Sequence, residues 1–185
     1  RALSPLLDVL RRGDPMSQQF AAQALPQFGD RRAVPVLIDV LHTAKSAMVR
    51  SSAVQALRSF KDPRAVELLF AALKDTEDSV RTRALSALAG FPSERVVTTA
   101  IDLLDDPSPN MRLAAIGTLG SCGDARAVNS LLPFCRDKGV RIRRATIKSL
   151  ARLPDPRVLD PLMEALHDAD NSVRVYAIAA LKEKR

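Results

Sequence analysis

Residues suited to nucleophilic or metal chemistry are scarce in this sequence. Its 185 residues include two histidines, His42 and His167, and two cysteines, Cys122 and Cys135. For neither histidine does the sequence indicate a Ser or Cys that the imidazole could activate as a nucleophile. Two cysteines are too few for a disulfide framework or a zinc site, so we expect free thiols in a reducing compartment, Cys122 in a loop and Cys135 in a helix core. We therefore predict no enzymatic activity, no catalytic residues, no cofactor and no metal ion.

Positive charge is the second candidate for chemistry, because 28 Lys and Arg against 21 Asp and Glu give a net charge of +7. Three cations spaced four residues apart share one face of a predicted helix that begins with a fourth cation: Arg144, Lys148, Arg152 and Arg141. Such a face fits an acidic peptide or a phosphate. The alternative is an ordinary solvated helix face.

Most of the remaining Arg residues recur with a fixed period. One series is Arg32, Arg64, Arg95, Arg126 and Arg157, and the other is Arg50, Arg81, Arg112, Arg143 and Arg174. A residue that recurs in every unit is most simply a packing residue. We expect these Arg to pair with Asp residues and to hold neighbouring units in register, which removes them from the candidate binding surface.

The sequence repeats with the spacing that separates Arg50 from Arg81. The same spacing separates all later neighbours in the second Arg series. An apolar residue accompanies each Arg of that series, and an Asp recurs six residues before four of them: Asp75, Asp106, Asp137 and Asp168. We count six units, at about 1–29, 30–61, 62–92, 93–123, 124–154 and 155–185, in one domain without linkers. The chain starts without Met, and we expect it to be a segment of a longer protein with additional domains.

Each unit is predicted to form two helices. The first begins after a capping Asp or Ser, often followed by Pro, as in Asp62-Pro63. Apolar residues then recur at helical spacing, a short polar turn follows, and the second helix repeats the pattern. Three prolines fall inside first helices, where we expect them to bend the helix: Pro35, Pro133 and Pro161. Stacked pairs of this kind bury one continuous core.

The unit resembles the short HEAT-like repeat of the phycobilisome-lyase type along nearly the whole chain. The motifs that carry the resemblance are the D-x-R-A-V of the first helix, as in Asp62–Val66, and the turn Asp followed six residues later by Arg. The resemblance implies an all-α fold, a right-handed α-α superhelix, with a ladder in which each Asp meets an Arg of its own or the next repeat. We predict a ladder that is complete in units three to six and broken in units one and two, where Arg12, Gln18 and Thr43 or Ala44 depart from the motif. Its predicted members are Asp75, Arg81, Asp106, Arg112, Asp137, Arg143, Asp168 and Arg174.

The same resemblance implies that second helices line the concave side, which would place Arg141, Arg144, Lys148 and Arg152 in a groove of small residues. We therefore expect a cytoplasmic scaffold that binds a protein or peptide, of acidic character if the groove is the site. Nucleic-acid binding through phosphates is the alternative, although the aromatic platforms of single-strand binding are missing. A bilin-lyase-like subunit is the second alternative. The His-Glu pairs of HEAT-like di-iron hydroxylases and the aromatic pocket of HEAT-like glycosylases are missing, and no apolar run is long enough to span a bilayer.

Overall fold

The computed structural model describes residues 3–184, so residues 1–2 of the first predicted unit and residue 185 of the sixth lie outside the described part. Within it the chain forms twelve α-helices in six successive pairs and no strand, which confirms the all-α prediction. Residue contacts divide the chain into two compact units, Arg1–Phe91 and Pro92–Arg185.

The first unit contains three helix pairs. Its second helices pack successively, α2 on α4 and α4 on α6, while each first helix packs on its own partner. The helices are α1 (Leu3–Arg12), α2 (Pro15–Phe28), α3 (Ala33–Thr43), α4 (Ala47–Phe60), α5 (Val66–Ala72) and α6 (Asp78–Leu88).

The second unit repeats this arrangement, with α8 packed on α10 and α10 on α12. Each of its first helices runs into a 3-10 turn, such as Leu132–Arg136 after α9 and Ala165–His167 after α11. The helices are α7 (Glu94–Asp102), α8 (Pro109–Cys122), α9 (Ala127–Leu131), α10 (Val140–Leu150), α11 (Leu159–Glu164) and α12 (Asn171–Glu183).

Side-chain caps start many of these segments, as the sequence predicts. Asp62 and Asp155 each accept a hydrogen bond from a backbone N–H two residues later, at 3.0 and 2.8 Å, and Pro follows each of them. The segments that they begin are 3-10 turns, and the α-helix starts only three residues further on. These caps satisfy N–H groups that have no acceptor inside the helix.

The three prolines of the first helices differ in their position. Pro35 is the third residue of α3, where it costs no helical hydrogen bond because the N–H groups of a first turn have no helical acceptor. Pro133 is the second residue of the 3-10 turn Leu132–Arg136, which directly follows α9, so the α-helix gives way to a 3-10 turn next to this proline. Pro161 is the third residue of α11, which directly follows the 3-10 turn Pro156–Val158. The interruption predicted for proline is thus found at Pro133, and it is not found at Pro35.

Close packing of the second helices depends on small residues. A Cβ atom added to Gly120 on α8 would lie 2.6 Å from the Cα and Cβ atoms of Ser149 on α10. Gly117, on another side of α8, faces open space. The α8–α10 contact is therefore close enough to exclude any side chain at residue 120.

Candidate binding surface

The four predicted binding cations lie on or beside α10. Arg141, Arg144 and Lys148 are exposed on the helix, and Arg152 is exposed in the turn that follows it. The opposite face of α10 is buried through its apolar residues, including Ile147 at 1% exposure. We call Arg141, Arg144, Lys148 and Arg152 the α10 cationic stripe.

The cationic stripe has no carboxylate partner among residues 3–184. The Nη1 of Arg152 donates a hydrogen bond to the Ser121 hydroxyl at 3.3 Å, and the Nζ of Lys148 lies 5.9 Å from the centre of the Tyr176 ring. These contacts orient two of the four cations without neutralising them. The stripe can therefore accept an anionic ligand without first breaking an ion pair.

Five of the six positions that flank the stripe in the second unit are small or apolar, and the sixth is an acidic residue. The positions of Arg144, Lys148 and Arg152 correspond to Leu113, Gly117 and Ser121 in the preceding repeat, on α8. In the following repeat they correspond to Val175, Ala179 and Glu183 on α12, where Val175 is 53% exposed. The ligand surface thus combines a central row of cations with few bulky side chains around it.

The turn Asp residues form a separate network with the second-helix Arg residues. The Arg50 Nε and Nη2 donate to the two Asp75 carboxylate oxygens at 2.7 and 2.8 Å, and Arg143 makes the same paired contact with Asp168 at 2.8 and 2.8 Å. All four side chains are at most 15% exposed. Hydrogen bonding from the Arg partner lowers the pKa of both Asp75 and Asp168.

The same Arg residues also close the turn that precedes their own helix. Each directs Nη1 at two backbone carbonyls five and six residues earlier, for example Ala44 and Lys45 for Arg50. Arg81, Arg112, Arg143 and Arg174 repeat this geometry. Because the acceptors are backbone carbonyl oxygens, Arg50 can close the turn of the second repeat without an Asp in that turn. Arg50 also binds Asp75 of the third repeat, so the network that we expected to be broken in the second repeat includes Arg50.

Two rungs of the predicted ladder use their Asp differently. The Asp137 carboxylate accepts from the Gly139 N–H at 2.6 Å, and the Asp106 carboxylate accepts from the Ser108 N–H at 2.8 Å. Among residues 3–184 the Arg112 side chain forms no ion pair with Asp137. These two Asp side chains therefore stabilise their own turns.

The Arg series of the first helices pairs locally. Arg32, Arg64, Arg126 and Arg157 each contact the capping Asp two residues earlier, at 2.6 to 2.9 Å. Of these four, only Arg126 and Arg157 also reach the preceding repeat, at Glu94 and Asn129. The expected pairing with Asp is thus found in these four residues, and two of them also join neighbouring repeats, because the start of the helix brings Arg and Asp of one repeat together.

Comparison with known proteins places this architecture in a family. A family model of HEAT repeats matches residues 3–89, 66–143 and 97–182. The chain belongs to the HEAT-repeat family. The predicted resemblance to short HEAT-like repeats of the phycobilisome-lyase type is thereby confirmed. None of the curated proteins matches the chain in sequence.

Solved HEAT-like and armadillo structures share the fold at low identity. The complex of CpcE and CpcF of phycocyanin lyase from Nostoc sp. PCC7120 has a TM-score of 0.75 and 22% identity, over 97% of this chain and 75% of that chain. A designed armadillo repeat protein in complex with the peptide (KR)4 has a TM-score of 0.68 and 16% identity over 100% of both chains. Human deoxyhypusine hydroxylase has a TM-score of 0.51 and 20% identity, over 100% of this chain and 85% of that chain. Likeness at these identities shows the fold alone.

The contacts described for the stripe involve neither the histidines nor the cysteines of these HEAT repeats. His42 and His167 line grooves of about 440 and 230 Å³ beside the Arg50–Asp75 and Arg143–Asp168 pairs. Cys122 is the last residue of α8, so its predicted loop position is wrong. Cys135 lies half-buried in a 3-10 turn, and burial raises its pKa to about 11.

Two further findings concern residues 3–184 of the HEAT-repeat chain. In this part no group of three or more His, Cys, Asp or Glu side chains is placed to hold a metal ion. In the same residues no helix has the length and apolar character needed to cross a membrane.

Proposed function

We propose that this HEAT-repeat chain is a scaffold that binds an acidic segment of another protein through its α10 cationic stripe. The observation that carries the proposal is the set of four exposed cations on one helix and its following turn, none of which has a carboxylate partner among the described residues. An acidic ligand would supply the missing charge.

The spacing of the stripe indicates the form of the ligand. Cations four residues apart on a helix are separated by about 6 Å along its axis. Alternate residues of an extended peptide are separated by about 6.6 Å. A segment with an acidic residue at every second position therefore matches Arg144, Lys148 and Arg152 one to one.

The designed armadillo repeat protein supports the proposal of peptide binding, although its own peptide differs in charge from the ligand proposed here. That protein was solved with a peptide of alternating Lys and Arg. The corresponding ligand here carries the opposite charge, because the exposed side chains of the stripe are cationic. The Tyr176 ring holds Lys148 at the centre of the row.

The proposal is tested with a fluorescein-labelled, acetylated peptide in which three Glu alternate with Ser. The triple variant R144E/K148E/R152E should bind it at least about tenfold more weakly than the unchanged chain, because several exposed ion pairs of up to about 1 kcal/mol become repulsive contacts. Fluorescence anisotropy at fixed salt measures the affinity.

The control variant R58E/R83E/K138E changes the net charge equally at exposed cations outside the stripe. It should bind like the unchanged chain, and both variants should keep the same helical melting curve. Equal affinity of the two triple variants contradicts the proposed surface. Tighter binding of duplex DNA, with a steep loss on added salt, favours the nucleic-acid alternative instead.

A further inference from the structure

We propose that a groove between the second and third repeats binds a small aliphatic carboxylate. The groove has a volume of about 440 Å³ and lies beside the Arg50–Asp75 pair. Each of the two repeats has a neighbouring repeat on both sides in the sequence, so the groove is not an open end of the repeat array. The site is separate from the α10 cationic stripe, and the inference does not depend on the function proposed for that stripe.

The groove combines an apolar floor with a cationic rim. Leu41 and Ala72 line it at 7% and 8% exposure. His42, in the last turn of α3, and Lys74, in the turn after α5, are exposed at its edge. Neither forms an ion pair among residues 3–184. A ligand with an apolar chain and an anionic head would find a matching surface for each part.

The Arg50–Asp75 pair forms a neutral wall of the groove. Both Asp75 carboxylate oxygens accept hydrogen bonds from Arg50, at 2.7 and 2.8 Å, and the Arg50 Nη1 is bound to turn carbonyls. The groups left for a ligand are therefore the imidazole of His42 and the ammonium of Lys74. Each of them can donate a hydrogen bond to a carboxylate.

The counterpart groove between the fifth and sixth repeats already contains a carboxylate of the chain itself. Its volume is about 230 Å³. There Arg136, at the position of His42, donates a hydrogen bond from Nη2 to the Glu164 Oε2 at 2.9 Å. Ala71 stands at the position of Glu164 in the groove between the second and third repeats. That groove thus keeps cationic groups at its rim and lacks the carboxylate that they would bind.

The size of the groove favours a free acid over a Glu side chain of a partner protein. Small-molecule sites have volumes of about 300–1,000 Å³, and this groove falls in that range. Its lining also includes Leu68 and Ala71. A free acid can place its whole chain against these residues, whereas a Glu side chain is short and tethered to a backbone. Hexanoate is therefore a suitable probe, and hexanamide is its uncharged counterpart.

The test titrates hexanoate into protein with isotope-labelled Leu and Ala methyl groups. The signals of Leu41 and Leu68 should shift saturably, and hexanamide should bind about threefold or more weakly because it forms no ion pair. K74Q should weaken hexanoate binding by a similar factor, whereas K138Q, which removes an exposed lysine outside the groove, should not. A71E should abolish binding, because the chain then supplies the carboxylate itself.

The counterpart groove allows the reverse experiment. E164A removes the carboxylate there, at a side chain that is 62% exposed, and leaves Arg136 without its partner. A second hexanoate site should then appear, with saturable shifts of the Ala165 methyl signal, which does not respond in the unchanged chain.

Four outcomes overturn the proposal. The first is the lack of a saturable response of Leu41 and Leu68, and the second is equal binding of hexanoate and hexanamide. The third is unchanged binding by A71E together with no new site in E164A. The fourth is tighter binding of a Glu residue capped at both ends than of hexanoate, because the ligand is then a protein side chain.

Discussion

Aspartates at the starts of helices hold the Arg two residues later and the backbone of the first turn together. Hydrogen bonds from Arg64 lower the pKa of Asp62 to about 2, and hydrogen bonds from Arg157 do the same for Asp155. Each carboxylate also accepts the backbone N–H of that Arg. One Asp therefore satisfies a helix start and neutralises an Arg, which explains why the D-x-R motif recurs.

These two carboxylates make acid stability a sensitive measurement. A group whose folded pKa lies below its ordinary value stabilises the fold above that ordinary value and loses this effect as pH falls through the folded pKa. The contribution of Asp62 and Asp155 should be complete above about pH 4 and should disappear as the pH falls towards 2. The urea midpoint should decrease over that range more steeply in the unchanged chain than in D62N/D155N. Parallel pH profiles of the two proteins would contradict the role given to these caps.

At the scale of the elements, α8 and α10 approach each other closely because residue 120 lacks a side chain. Since a Cβ at that position would meet Ser149 at 2.6 Å, including its backbone Cα, the overlap cannot be relieved by side-chain rotation alone. Gly117 lies on the same helix without a neighbour within 4 Å of an added Cβ. A substitution at Gly120 therefore tests the packing of α8 on α10, whereas a substitution at Gly117 tests helix propensity alone.

Replacement of these glycines by Ala should have effects of opposite sign. G120A should lower the free energy of unfolding by about 1–3 kcal/mol, because the helices must move apart. G117A should raise it by about 0.5–1 kcal/mol, because Ala is the better helix former and meets no obstacle. Urea denaturation of both variants measures the difference, and equal shifts would show that the α8–α10 contact is looser than described.

The sequence was sufficient to predict the helix pairs, because several residue types with different physical roles recur with the same period. Capping Asp, apolar core positions and the turn-closing Arg each recur once in a repeat. It was insufficient for the choice of Arg partner, because Asp62 and Asp75 are both plausible partners by type, and only the turn geometry assigns Arg64 to the first and Arg50 to the second. The exposed position of Arg144 and Lys148 followed from helical spacing. The contact of Lys148 with Tyr176 joins α10 to α12, and no sequence pattern within either helix predicts it.

Over the whole molecule, the net charge of +7 gives an incomplete picture of the charge available to a ligand. Arg residues of both periodic series form ion pairs with Asp side chains or donate hydrogen bonds to turn carbonyls. Arg141, Arg144, Lys148 and Arg152 do not belong to either series and lie together. The proposed affinity for acidic segments therefore resides in a local surface, and a general basic character contributes less.

The most direct measurement of this claim is the site at which the alternating Glu–Ser peptide becomes attached by carbodiimide cross-linking. This reagent joins a carboxylate to a lysine amine in contact with it, and Lys148 is the lysine of the stripe. Mass spectrometry of the digested adduct should find the acetylated peptide chiefly on Lys148, with little on exposed Lys138. Attachment spread evenly over the exposed lysines, or concentrated away from Lys148, would contradict the account.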